Sequence, residues 1–115
     1  MQQFNNMEPC VFCKIRDRII PKEFTYEDKD IMVFPDINPV APVHLLIMPK
    51  VHVVDFSDLK DGVMLEKIKV VIHKMIEDQK IGDKGYRLVI NGGGAQLIDH
   101  LHIHLMGKIG QKVKM

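Results

Sequence analysis

Histidine recurs at every second position in His100-Leu101-His102-Ile103-His104. An imidazole with an ordinary pKa of about 6.5 is largely neutral at pH 7, so it can ligate a metal, pass a proton or attack an electrophilic phosphorus unaided. In a β-strand alternate side chains share a face, which would put all three rings on one side with the outer pair roughly 13–14 Å apart. Leu101, Ile103 and Leu105 would then pack into the core from the other side. A face of histidines gains little from burial, so it should border a cleft, a metal site, or both. From spacing alone, a purely metal-binding strand competes with a catalytic one. His73, by contrast, falls on the polar stripe of a helix and reads as a surface residue.

Just ahead of the histidines lies Gly92-Gly93-Gly94. Glycine accepts the positive φ that lets backbone N–H groups converge on an anion, and Asn91 can add an amide donor at the loop's edge. Such donors beside a nucleophile suit phosphoryl transfer, where positioning and charge stabilisation supply most of the catalysis. The two cysteines, Cys10 and Cys13, are separated by two residues. A redox dithiol would follow a strand, and none precedes Cys10. A structural disulfide is disfavoured in a reducing compartment. Half of a tetrahedral zinc site fits the spacing best, with histidines to complete it.

The elements that must position these residues follow an α+β order. Residues 10–19 read as a short helix stopped by Pro21, and Ile31–Phe34 as a strand. Three prolines stiffen the loop 35–42, and Val43–Met48 forms the next strand. Over residues 63–79, Leu65, Ile68, Ile72, Met75 and Ile76 make an apolar helical stripe opposite Glu66, Lys69, His73, Glu77 and Lys80. Tyr86–Asn91 and His100–Met106 read as the last two strands. At 115 residues with 46% hydrophobic and 27% charged residues, the chain is expected to be one domain spanning 1–115, with 1–7 a flexible tail. A net charge of +1 advertises neither nucleic acid nor an anionic membrane, and residues 108–114 read as a solvated basic terminus. Neither a spanning apolar run nor a signal peptide is recognisable, so a cytoplasmic location is expected.

The segment 100–106 matches in full the His-φ-His-φ-His-φ-φ signature (φ apolar), and on it the chain resembles the histidine-triad family. The resemblance covers nearly the whole sequence: Cys10-Val-Phe-Cys-Lys-Ile15 is similar to the family's opening helix, Phe34-Pro-Asp-Ile-Asn-Pro39 to its ribose-binding turn, and His44 to His52 to its central strand. The nearest branch is that of the purine nucleoside phosphoramidases. It implies a five-stranded antiparallel sheet with two helices, paired into a homodimer with a continuous ten-stranded sheet. It also implies that His102 is the nucleophile, forming a covalent nucleotidyl-histidine that water resolves. His104 would contact the phosphate, and His44 would support the nucleophile's surroundings. Asp36 would hold the ribose hydroxyls, and Phe12, Ile15, Phe34 and Ile37 would enclose a purine base. Asn91, Ala95 and Gln96 would lie around the phosphate. A structural zinc would be held by Cys10, Cys13, His52 and His100.

Three features depart from that pattern. The loop from Asn91 to His100 is about two residues shorter, and Leu97 stands where many relatives carry a serine. The tryptophan-containing tail of those relatives is also missing. A nucleotide sensor or partner scaffold without chemistry therefore stands beside the hydrolase reading, as does a dinucleoside polyphosphate hydrolase.

Overall fold

A computed structural model describes residues 10–113; the expected flexible segment 1–7 lies outside the described residues. Helix α1 spans Val11–Arg16 and is capped by the Cys10 side chain, whose Sγ accepts the Cys13 N–H at 3.3 Å. It buries Phe12 and Ile15. The helix is shorter than the sequence suggests: Arg18 takes a positive φ of 64°, so the chain leaves the helical path before Pro21 can stop it.

Five strands follow: β1 (Tyr26–Glu27), β2 (Ile31–Pro35), β3 (Val43–Pro49), β4 (Tyr86–Ile90) and β5 (Ile103–Gly107). They form one antiparallel sheet in the order β1-β2-β3-β5-β4. A 3-10 turn at Phe56–Asp58 and helix α2, Gly62–Asp78, connect β3 to β4. The two-residue β1 and the 3-10 turn are too short for periodicity to reveal. This is the α+β architecture expected.

Alternation sorts side chains into two cores. Ile31, Val33, Leu45, Ile47, Ile103 and Leu105 face α2 and meet Ile68, Val71 and Met75. Met32, Phe34, Leu46 and Met48 face the other way, against Phe12 and Ile15 of α1. Register places Leu46 opposite His104 and His44 opposite Met106, so these histidines project on the α1 side. The α2 stripe is rotated from the expected one: Val71 is buried, while Leu65 is 41% exposed. The helix crosses β2 and β3 and leaves the β4 edge of the same face uncovered, with Tyr86, Leu88 and Ile90 half-exposed.

The last strand starts at Ile103 rather than His100. Leu101 gives its N–H to Val53 O at 2.6 Å, outside the sheet ladder. The three rings nevertheless share the α1 side. Phe12 meets His100 and His102 edge-on, and the His102 and His104 ring centroids lie 5.1 Å apart.

Candidate active site and metal centre

The cysteine pair at the start of α1 meets two histidines from distant segments. Cys10 Sγ lies 3.4 Å from His100 Nδ1, and Cys13 Sγ lies 3.3 Å from His52 Nδ1 and 3.6 Å from His100 Nδ1. The two imidazole Nδ1 atoms are 3.3 Å apart. Four donor atoms thus converge on a point at which a metal ion could be held. His100 is fully buried and gives its Nε2–H to Pro49 O at 2.8 Å, because a carbonyl can only accept. That leaves the Nδ1 lone pair for the cluster, the arrangement expected of a metal-ligating histidine. Burial and the neighbouring Cys10 push the Cys13 thiol up to about 11, so a cation is what would draw out its proton.

Proton positions on the other histidines follow from the same reasoning. His102 Nδ1 lies 2.7 Å from His100 O, so Nδ1 carries the hydrogen and Nε2 keeps its lone pair. The Val40 N–H donates to His44 Nδ1 at 3.1 Å, which forces the His44 hydrogen onto Nε2. There it faces His104 Nδ1 at 2.9 Å and Asp36 Oδ2 at 3.3 Å. His104 Nδ1 accepts, so its own hydrogen sits on Nε2. Burial, with His102 and His44 nearby, lowers the His104 pKa against the opposing pull of Asp36, which keeps the ring neutral at pH 7. Asp36, His44 and His104 also lie close enough for a cation. A metal at His44 Nε2 would have to displace the proton that Val40 fixes there, so this trio is a hydrogen-bond relay instead.

A cavity of about 500 Å³ opens beside these rings. Of the residues expected around a nucleotide, Phe12, Ile15, Phe34, Asp36, Ile37, Asn91, Ala95, His102 and His104 all line it. His44 stands behind His104. Lys22, Asn38 and Ile98 also border the cavity; Lys22 lies outside every sequence motif, and its cation stands 5.2 Å from the Phe34 ring centroid. Leu97 borders it too, with 96% of its surface exposed.

Gln96 does not line the cavity. Its Oε1 accepts the Gly94 N–H at 3.0 Å and its Nε2 donates to Val54 O at 3.3 Å. The glycine loop differs from the expected anion nest in the same way. Gly93 N–H goes to Asp55 Oδ1 at 2.6 Å and Ala95 N–H to Gly92 O at 3.1 Å, so Gly93, Gly94 and Ala95 donate within the protein. What faces the cavity from this loop is its two ends, Asn91 and Ala95. His73 is exposed, 3.3 Å from Glu77 one helical turn on, as a surface residue should be.

Residues 9–115 match the family described as "Scavenger mRNA decapping enzyme C-term binding". A HIT family hydrolase from Clostridium thermocellum superposes with a TM-score of 0.86 at 42% identity, over 94% of this chain and 97% of that one. The 14 kDa zinc-binding protein of Zea mays is 38% identical over 112 residues, 86% of this chain and 81% of its own. The purine nucleoside phosphoramidase of Escherichia coli is 36% identical over 104 residues, 87% of each chain.

Burial lowers the His100 pKa to about 4, whereas an unfolded histidine binds its proton near 6.5. As pH falls the unfolded state is therefore protonated first. Stability from this group is complete above pH 6.5 and lost between about 6.5 and 4, on the order of 3 kcal/mol. Urea titrations of the metal-free protein should show the midpoint falling across that interval. A midpoint unchanged from pH 7 to pH 4 would contradict the buried, neutral ring.

Proposed function

The chain belongs to the histidine-triad family, and from that premise we propose that it is a nucleotide hydrolase that splits a nucleoside monophosphate from a phosphoramidate or related conjugate through a nucleotidyl-histidine at His102. The observation that carries this reading is the 2.7 Å contact between His102 Nδ1 and His100 O. It leaves the Nε2 lone pair on a ring that borders the cavity. Phe12, Ile15, Phe34 and Ile37 enclose the purine, and the Asp36 carboxylate accepts from the ribose hydroxyls. His104, its hydrogen on Nε2, donates to a phosphate oxygen, with Asn91 and the Ala95 segment close by.

In the first step Nε2 bonds to the α-phosphorus, the bond from phosphorus to the leaving nitrogen breaks, and the amine departs with a proton from the solvent-open cavity. The imidazolium so formed keeps its Nδ1–H on His100 O, where the carbonyl dipole stabilises the positive ring. Water then attacks the phosphorus, a proton passes to solvent, and Nε2 leaves with its lone pair restored. The purine nucleoside phosphoramidase named among the relatives supports this substrate class. A binding protein without chemistry is the second reading, favoured by the exposed Leu97 at the cavity mouth, a side chain with no hydrogen bond to offer a leaving group.

Zinc is the metal that the four-donor cluster suits. Bonds of about 2.3 Å to sulfur and 2.0–2.1 Å to nitrogen in a tetrahedron place S and N about 3.5 Å apart and two N atoms about 3.3 Å apart. The observed separations are 3.3–3.6 Å and 3.3 Å. Four protein ligands leave no open position, so zinc here is structural: it ties α1 to the segment bearing the triad and leaves His102 free. A homodimer through the outer edge of β4 would cover Tyr86, Leu88 and Ile90, which α2 leaves bare, and would remove an open edge strand. A purine nucleotide is the proposed ligand and the cytoplasm the proposed compartment; among the described residues no helix is long and apolar enough to cross a membrane.

On an adenosine or guanosine phosphoramidate, His102→Ala should lower kcat by about 10³-fold or more while the far-ultraviolet circular dichroism is kept; full activity in that variant would defeat the hydrolase reading. Rapid quench of the wild type with substrate should reveal a mass increase of one nucleotidyl group, and nucleotide binding without it would favour the sensor. Metal analysis should return one zinc per chain, lost in Cys13→Ala; less than half an equivalent in wild type would reject the site. Leu88→Glu should shift the sedimentation coefficient to that of a monomer, and an unshifted dimer would place the interface elsewhere.

A further inference from the structure

Resting on the hydrolase reading, we infer that Asp55 is a positioning residue for catalysis, clamping the glycine loop so that Asn91 and Ala95 stand correctly at the phosphate end of the cavity. Asp55 belongs neither to the triad nor to the cavity wall. It follows the metal-cluster residue His52, in a short strap leading away from β3. Three consecutive strap residues grip the segment that carries the site. Val53 O takes the Leu101 N–H, Val54 O takes the Gln96 side-chain amide, and Asp55 Oδ1 takes the Gly93 N–H at 2.6 Å.

Asp55 is itself held on its other side. Oδ2 accepts from both the Ser57 N–H and the Ser57 hydroxyl, in the capping box of the 3-10 turn. A carboxylate with that many donors is a fixed post rather than a mobile surface charge. These hydrogen bonds, the Ser57 hydroxyl first, hold its pKa down at about 2, so the post stays charged throughout the physiological range.

Space at Gly92 makes the same point independently. A Cβ there would lie 2.9 Å from Asp55 Oδ1, so the loop backbone runs against the carboxylate and an added methyl would displace it. Gly93 and Gly94 adopt φ of 64° and 95°, a path that the two side-chain acceptors, Asp55 and Gln96, keep in one form. The loop's glycines are thus shaped to fit the protein behind them, while the residues at either end meet the substrate. Displacements of about 1 Å at reacting groups can cost about 10²-fold in rate, which is the leverage such a clamp has.

The test uses zinc-loaded full-length protein. Asp55→Ala should lower kcat by about 10- to 100-fold with KM within about twofold, unchanged zinc content, and faster amide hydrogen exchange at Gly93. Asp55→Asn, which keeps an oxygen for the Gly93 N–H, should recover most of kcat. Gly92→Ala should reproduce the defect, and combining it with Asp55→Ala should be no worse than either alone. Wild-type kcat in Asp55→Ala overturns the inference, as does unchanged exchange at Gly93. A loss that Asp55→Asn fails to relieve would mark the residue as merely structural and overturns it equally. If wild type itself hydrolyses no nucleotide conjugate, the parent reading falls and the clamp's catalytic role with it; an active wild type beside an equally active Asp55→Ala removes the clamp alone.

Discussion

A peptide carbonyl can only accept a hydrogen bond, and that constraint organises this site. His100 O stands 2.7 Å from His102 Nδ1, and Pro49 O stands 2.8 Å from His100 Nε2. Each carbonyl assigns one hydrogen to one ring nitrogen and so frees the other nitrogen for chemistry. In His100 the freed atom is Nδ1, turned toward two thiols; in His102 it is Nε2, on a ring that borders the cavity. The Val40 N–H works in the opposite sense, forcing hydrogen onto His44 Nε2 and thence onto His104 Nε2. One signature with identical residues therefore yields two rings with opposite nitrogens left as lone pairs and a third with hydrogen on Nε2. In the proposed function these serve as metal ligand, nucleophile and donor. Backbone surroundings, rather than residue type, divide the work.

Those surroundings depend on β3 and the strap behind it. β3 supplies His44 to the relay and Pro49 O to His100, and pairs with β5 directly beneath His104. Its continuation supplies His52 to the cysteine–histidine cluster and residues 53–55 to the loop. Cores on both faces lock this central strand, since Leu45 and Ile47 pack toward α2 while Leu46 and Met48 pack toward α1. The site is built on a strand packed on both faces, so its polar groups are aimed by backbone held between two cores.

Much of this was legible in the sequence because it is carried by period. Alternation along 100–105 set the three histidines on one side and Leu101, Ile103 and Leu105 on the other. The Cys-x-x-Cys spacing asked for two further ligands. What escaped was set by contacts distant in sequence. His100 and Leu101 keep the alternation of a strand, yet their backbone bonds to Val53 and to the His102 ring instead of to a neighbouring strand, so β5 begins at Ile103. Three glycines in a row suggest an anion nest, but whether their N–H groups are free depends on Asp55, 38 positions away from Gly93. Leu65 fits the apolar stripe of α2 by periodicity, but the face that the helix turns to the sheet buries Val71 and leaves Leu65 exposed.

The placement of the His102 proton is what the chemistry rests on, and nitrogen-15 spectra of the imidazole rings at neutral pH read it directly. The account predicts that His102 is the neutral tautomer with hydrogen on Nδ1, its Nε2 resonance that of an unprotonated, pyridine-like nitrogen. A hydrogen found on Nε2 in the ligand-free protein would leave no lone pair facing the cavity and would contradict the assignment of His102 as nucleophile.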